Sequence, residues 1–336
     1  MKYLNQTIKS NCPVCDHESG KILWETTSQS AAQHYLLREK NEVKYQSLVD
    51  HIESLWGKKK AKVVSCLKCG LCYSSPFTAG DERFYTLAYD RHSYPKWKWE
   101  FQETLDTLKK KEKGFRILEV GAGNGMFIKS ILKNLTSKEN IFCTEYSSYG
   151  LQELKKLGVN CFSDDIRNIN FENKFDVICL FQVLEHLDDL DSLFSKLDSL
   201  LNQGGDLFIA VPNYKFIEFI EKNDLLLDMP PNHVSRWTEK AFQTIATKFN
   251  WSLSCHKEES SNWIANAKLI AIYRFLRLSQ NKGTLANFIL SKSYPAAVER
   301  WLKIGCILLY SFSLLKVLYR LKTQNIGNSQ WVHFTK

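Results

Sequence analysis

The chain of 336 residues contains no internal repeat and no low-complexity tract, which argues against solenoid and fibrous architectures. No apolar stretch reaches bilayer length. The most apolar run, Ile304 to Leu315, is twelve residues long, against the roughly 20 that a spanning helix needs. The opening, MKYLNQTIKSNC, has no apolar core after its basic residue, so no secretory signal is expected and the cytoplasm is the expected compartment.

What the chain does have is ordinary globular composition, 44% hydrophobic and 24% charged, with length for one large domain and one or two smaller ones. The formal charge is +9. The runs KKKAK (58–62) and KKKEK (109–113) read as solvated helix ends rather than nucleic-acid contacts. Excess positive charge suits an anionic small-molecule acceptor.

Four of the ten cysteines form two Cys-x-x-Cys turns, Cys12 with Cys15 and Cys66 with Cys69. Two residues between thiolates let both sulfurs face one ion, and two such turns make a tetrahedral structural Zn2+ site. Cys72 is an alternative ligand, though a buried thiol on the next strand is the preferred reading. The long gap between the turns carries Leu48, Val49, Ile52, Leu55 and Trp56 at helical intervals, which predicts a helical insertion. Residues 81–113 read as a linker with one helix, carrying Phe101, Leu105 and Leu108 on one side.

From residue 114 the pattern changes. Apolar runs at 117–120, 141–146, 159–164, 175–181 and 204–212 alternate with helical segments, as in a parallel sheet with helices on both faces. A helix and a strand follow at 241–259, then an apolar, basic and helical stretch over 263–322. The last ten residues again resemble a strand. If that strand pairs with 251–259, the helical stretch is an insertion between neighbouring strands. Arg300, Lys303, Lys316 and Arg320 bracket its apolar part. A helical lid on the sheet is the preferred reading, and an in-plane membrane contact through 300–322 is the alternative.

The first strand runs into Glu119-Val120-Gly121-Ala122-Gly123-Asn124-Gly125. Such a turn brings backbone close to a ligand and aims a helix N-terminus at it. Met126 stands where the dinucleotide fingerprint has its last glycine. An acid two residues before the first glycine is placed for a ligand's ammonium group. Both details favour S-adenosylmethionine (SAM) over a dinucleotide.

Residues 114–260 resemble the class I SAM-dependent methyltransferases, whose opening motif has the form LEVGAGNG. The resemblance implies a doubly wound Rossmann-like α/β sheet, mostly parallel with its last strand antiparallel. It places Glu145 on the ribose hydroxyls and Asp165, with Asp164 as the alternative, on the adenine amino group. Ala122, Tyr146, Ile166, Phe181 and Gln182 complete the implied cofactor pocket. The segment FQVLEHL (181–187) is similar to that of ubiquinone-biosynthesis O-methyltransferases. The two cysteine pairs, then Pro76 and Phe84-Tyr85, resemble the zinc-bearing N-terminal region of a subgroup linked to sugar and polysaccharide biosynthesis. This implies a saccharide, nucleotide-sugar or lipid-linked saccharide acceptor. The resulting division is a zinc region over 1–80, a linker helix over 81–113, a SAM-binding core over 114–262, a helical insertion over 263–325 and a final core strand over 326–336.

Methyl transfer to O or C needs alignment and a route for a proton. His186 and His233 are the titratable candidates on the strand-end face. His186, on the helix after the fourth strand, either buttresses that helix or joins the site with Glu185. His233 lies in MPPNHVSRWT, where Pro230 and Pro231 predict a stiff extended arm, and it serves as general base, acceptor clamp or brace. PPHHxxRW segments occur in the same subgroup, with Asn232 here in place of the first histidine. Arg236 offers a bidentate grip on phosphate or carboxylate and Trp237 a stacking face. The alternative for both is packing at a helix start, with Thr238 as N-cap and Glu239 in the first turn. The rival readings are an RNA or protein methyltransferase, a SAM-binding or zinc scaffold without turnover and, last, a dehydrogenase.

Overall fold

A computed structural model describes residues 4, 6–89, 97–223, 229–279, 281–292, 294–311 and 315–336. Part of the predicted linker (90–96) and part of the apolar run (312–314) fall outside these residues.

Ile117–Val120 is buried at every position, and Phe175–Phe181 at every position but Asp176. Strands covered on both faces belong in the middle of a layered sheet. Numbering strands along the chain, β1 is Thr7–Lys9, β2 Ser19–Thr27, β3 Lys60–Cys66, β4 Cys72–Ser75, β5 Ile117–Val120 and β6 Ile141–Thr144. They continue with β7 Asn160–Phe162, β8 Phe175–Phe181, β9 Leu201–Pro212, β10 Ser235–Arg236, β11 Ser252–Glu258 and β12 Ser329–Thr335. The larger sheet has the order β11-β12-β9-β8-β5-β6-β7. It is parallel from β7 to β9, and β12 runs antiparallel to both β9 and β11. The expected pairing of the last strand with 251–259 occurs, from Ser252 opposite Thr335 to Glu258 opposite Gln330. The order reverses between β5 and β8, and ligands of such sheets bind at the carboxyl edge beside that point.

The smaller sheet has the order β1-β2-β3-β4-β10. Its cover is the helix Glu42–Trp56, which buries the predicted Leu48, Val49, Ile52 and Trp56 against Trp24 and Phe84. Local chemistry fixes the helix ends. The Asn41 side chain accepts from the Lys44 N–H, and Gly57 closes the C-terminus at φ 62°, a conformation that favours glycine. β10 comes from the distant segment 235–236 and pairs with β4. The small sheet is therefore completed by the segment that carries His233.

Between β11 and β12 stand the helices Trp263–Ser279, Leu285–Ser291, Ala296–Ser311 and Leu315–Gln324. No described helix is long and apolar enough to cross a membrane. Ile270 and Ala271 pack on Phe216 and Ile220 of the helix Tyr214–Lys222, which follows β9.

Candidate active site

The glycine turn joins β5 to the helix Met126–Ile131. Gly121, Gly123 and Gly125 all have positive φ, at 71°, 57° and 71°. A Cβ on Gly121 would lie 2.5 Å from the Val183 side chain, so only glycine lets this turn approach the loop after β8. Glu119 is buried, and its Oε2 has no hydrogen-bond partner among the described residues. Burial raises its pKa, Lys98 partly opposes this and Glu145 adds to it, for a value of about 8. A buried carboxyl with an unused oxygen beside a ligand-facing turn could hold a cationic group.

Glu145 follows β6 and is also buried. Its two oxygens accept from the Gly123 N–H at 2.7 Å and the Ser147 N–H at 2.8 Å. The acid is thereby fixed beside the glycine turn. Asp165 is held by Arg167, through Nε at 2.9 Å and Nη2 at 2.6 Å. Despite burial, this pairing keeps its carboxyl below the usual range. Ile166 and Phe181 are buried, the latter between Phe101 and Phe127, whereas Tyr146 is exposed. Gln182, at φ 59°, donates to Glu100 and Ser329.

His186 sits on the 3-10 turn Leu184–His186, ahead of the helix Leu190–Leu200 and not on it. Its Nδ1 is 2.9 Å from the Asn232 carbonyl and 3.2 Å from the Tyr85 hydroxyl. A carbonyl can only accept, so Nδ1 carries a proton, and in the neutral ring Nε2 carries the lone pair. That Nε2 is 3.8 Å from Oε1 of the buried Glu185. The His233 ring meets the His186 ring edge-on, 4.6 Å between centroids. Glu185, His186 and His233 each bring one ligand atom within 4.8 Å of the others, a set that could take up a proton or hold a cation.

The arm carrying His233 is a turn instead of the extended segment expected. The Asn232 N–H donates to Met229 O at 3.1 Å. The first module and the loop after β8 grip this turn. Tyr35 donates to Met229 O, the Gly80 N–H to Pro231 O and the Ser74 N–H to Val234 O, each at 2.8 Å, and the Val234 N–H to Glu185 O at 2.9 Å. Thr238 donates to Cys69 O at 3.2 Å.

The burial of Arg236 and Trp237 corrects their expected contact with the acceptor. Arg236 lies under Trp24 and pairs with Glu221 at 2.8 Å, while Trp24 Nε1 donates to the same carboxylate at 3.2 Å. Trp237 is fully buried and stacks on Phe242, at 5.0 Å and 18°. Thr238 caps the helix Glu239–Phe249 by accepting from the Ala241 N–H. Trp237 and Phe242 are therefore the two ends of a hydrophobic staple around that cap. Trp237→Ala is expected to cost about 3–5 kcal/mol of stability, read from denaturant unfolding; a loss within about 1 kcal/mol would contradict this packing.

In the small module, Cys12 Sγ is 3.5 Å from Cys69 Sγ and Cys15 Sγ is 3.5 Å from Cys66 Sγ. All four sulfurs lie within 4.8 Å of one another. A tetrahedral ion with Zn–S of about 2.3 Å sets its sulfurs ~3.8 Å apart, so the set fits. A hydrogen bond to Cys69 and then burial push the Cys12 thiol far up, and burial pushes Cys15 up to about 11. A divalent cation would supply the charge that ionises them. Cys72 is a buried thiol on β4, outside this set, and burial raises it to about 11.

Residues sequence reasoning left without a role are Tyr85 and Asn232, which orient His186, and Glu221, which neutralises Arg236. Phe84-Tyr85 was singled out only through the resemblance; Glu221 carried no signal.

Residues 89–256, half of the chain, match the family described as Methyltransferase domain. The chain is 34% identical over 116 residues to malonyl-[acyl-carrier protein] O-methyltransferase 1 of Ilyobacter polytropus, covering 33% of this chain and 43% of that protein. It is 26% identical over 122 residues to the mitochondrial ubiquinone biosynthesis O-methyltransferase of Dictyostelium discoideum, covering 32% and 38%. It spans less than half the length of either relative. Malonyl-[acyl-carrier protein] O-methyltransferase 2 of Ilyobacter polytropus is 31% identical over 199 residues, covering 56% of this chain and 73% of that protein. The glycine turn, the paired acids Glu119 and Glu145 and the strand order thus lie on a chain that belongs to the SAM-dependent methyltransferase family.

Proposed function

We propose that this chain moves a methyl group from SAM to a hydroxyl or carbon of a small-molecule acceptor, with the His186–His233 pair taking the acceptor's proton. The observation that carries this is the Glu185–His186–His233 cluster, in which the loop that Val183 presses against Gly121 supplies Glu185 and His186 and the turn before β10 supplies His233. Glu119 would hold the SAM ammonium and Glu145 the ribose hydroxyls. Asp165 and Tyr146 would border the adenine, lined by Ala122, Ile166, Phe181 and Gln182. Bound SAM supplies the electrophilic methyl. The protein's part is to align the acceptor and receive its proton at Nε2 of His186, where Glu185 offsets the imidazolium charge. Relatives whose names specify O-methylation support an oxygen acceptor. The resemblance of the N-terminal region to a sugar-linked subgroup supports a saccharide, nucleotide-sugar or lipid-linked saccharide. Incubation with methyl-labelled SAM and fractionated host metabolites, followed by mass spectrometry, tests the reading. Label in a small molecule is the expected result, and label confined to RNA or protein overturns it.

The four cysteines would hold a structural Zn2+ ion that keeps the acceptor loop in place through Cys69 and β4. Metal analysis is expected to find one zinc per chain, lost in Cys12→Ser/Cys69→Ser. Hydrogen exchange over 229–238 should then rise at least tenfold. A zinc-free native protein with the same protection in this segment would contradict the assignment.

A further inference from the structure

We propose that the helical module over 263–325 is a docking surface for an anionic lipid bilayer, with the helix Ala296–Ser311 lying in the plane of the membrane. The first observation is where the charge sits. The module holds ten of the 45 Lys and Arg but one of the 36 Asp and Glu, so the rest of the chain, with 35 of each sign, is neutral. The whole +9 of the protein belongs to these 63 residues. The lysine runs at 58–62 and 109–113 are balanced elsewhere in the remainder, so charge that would otherwise read as a general property is a local one.

The second observation is where the uncovered apolar surface sits. Of the nineteen large hydrophobic side chains exposed among the described residues, thirteen lie in this module, under a fifth of the chain. On the helix Ala296–Ser311 they are Val298, Trp301, Leu302, Ile304, Leu308 and Leu309, all on one side. That spacing of three and four is the period of a helix face, and the face points outward, with Trp301 at 72% and Leu308 at 61% exposure. The opposite side of the module is already occupied. Phe275, Ala286, Ile289 and Leu290 make a small core with Leu37, and Ile270 packs on Phe216.

An outward Trp/Leu stripe on a strongly basic element matches a helix that lies in a headgroup layer. It is not a spanning element, because no described helix is long enough. Charge complementarity selects an anionic bilayer over a second copy of the chain, since two modules carrying +9 each would repel. The module also borders the acceptor loop. Arg277 and Met229 line one cavity of about 310 Å³, together with Glu25 and Lys60. Docking there would bring a membrane surface beside the segment that carries His233.

The full-length protein should be sedimented with extruded vesicles of phosphatidylcholine, with and without 30% phosphatidylglycerol, alongside light scattering of the free protein. The expected result is cosedimentation at least tenfold tighter with the anionic vesicles and weakened by salt. Trp301→Ser/Leu308→Ser and Arg300→Glu/Arg320→Glu should each lose at least tenfold of that binding. Their unfolding midpoints and SAM affinity should remain those of the wild type. Three results would overturn the proposal: protein left in the supernatant with anionic vesicles, equal binding by the variants, or a dimer abolished by the same substitutions without vesicle binding.

Discussion

His186→Ala and His233→Ala should each lower turnover by about 10²–10⁴-fold, the usual worth of a positioned acid–base group, while SAM affinity stays within about twofold. The split follows from placement. Both rings sit on loops after β8 and β9, and neither belongs to the glycine turn or to Glu145. His186 is oriented from both ends, by the Asn232 carbonyl at Nδ1 and by buried Glu185 near Nε2. Glu185→Gln should therefore lower kcat without moving the SAM dissociation constant, because it removes the charge that offsets an imidazolium. Tyr85→Phe removes one of two partners of Nδ1 and should have the smaller effect. Steady-state kinetics with titration calorimetry for SAM would separate these outcomes. A His186 variant that turns over at the wild-type rate would remove it as the base.

Glu119→Gln should weaken SAM binding about 10- to 150-fold, the range for loss of a charge-assisted hydrogen bond. Its pH dependence carries a sign that can be checked. Without ligand, burial pushes the carboxyl up to about 8, with Lys98 partly opposing and the charge of Glu145 adding to the shift. An ammonium group favours the ionised form, so below pH 8 binding must release a proton. Affinity for SAM should then rise about tenfold per pH unit between pH 6 and 7.5 and level off above 8. Calorimetry in buffers of different ionisation enthalpy should register that proton. Glu119→Gln should abolish both the slope and the proton release. A wild-type affinity that is flat from pH 6 to 8 would place the ammonium elsewhere.

Strands covered on both faces were the most legible part of the fold. The run Phe175–Phe181 is apolar except at Asp176 because its other positions meet no water, and it and Ile117–Val120 appear in the structure with the expected bounds. The return of the chain at 329–335 was also readable, since a strand after a long helical stretch needs an edge or a gap to join. β10 was not. Two residues have no periodicity, and its partner β4 lies about 160 positions earlier. Because that pairing was hidden, Arg236 looked like a surface clamp. Its burial depends on Glu221 and Trp24, and nothing local to Arg236 announces either. Trp237 carried a signal that could have been used: it precedes the Thr238 cap and stands five residues before Phe242, the spacing of a hydrophobic staple. His186 was expected on the helix after the fourth strand, but 184–186 form a separate 3-10 turn ahead of the helix Leu190–Leu200. The stretch 263–322 was legible as basic, but the lysine runs at 58–62 and 109–113 stood out more, although acids elsewhere in the chain balance them.

The central claim is that the glycine turn and the histidine pair form one reaction centre. A single-turnover assay tests it most directly: enzyme in excess over methyl-labelled SAM, with host metabolite fractions as acceptor. Labelled small-molecule product and S-adenosylhomocysteine should appear together in equal amounts with the wild type. Neither should appear with His186→Ala/His233→Ala, although this variant still binds SAM. Product formed by the double variant at the wild-type rate would contradict the account.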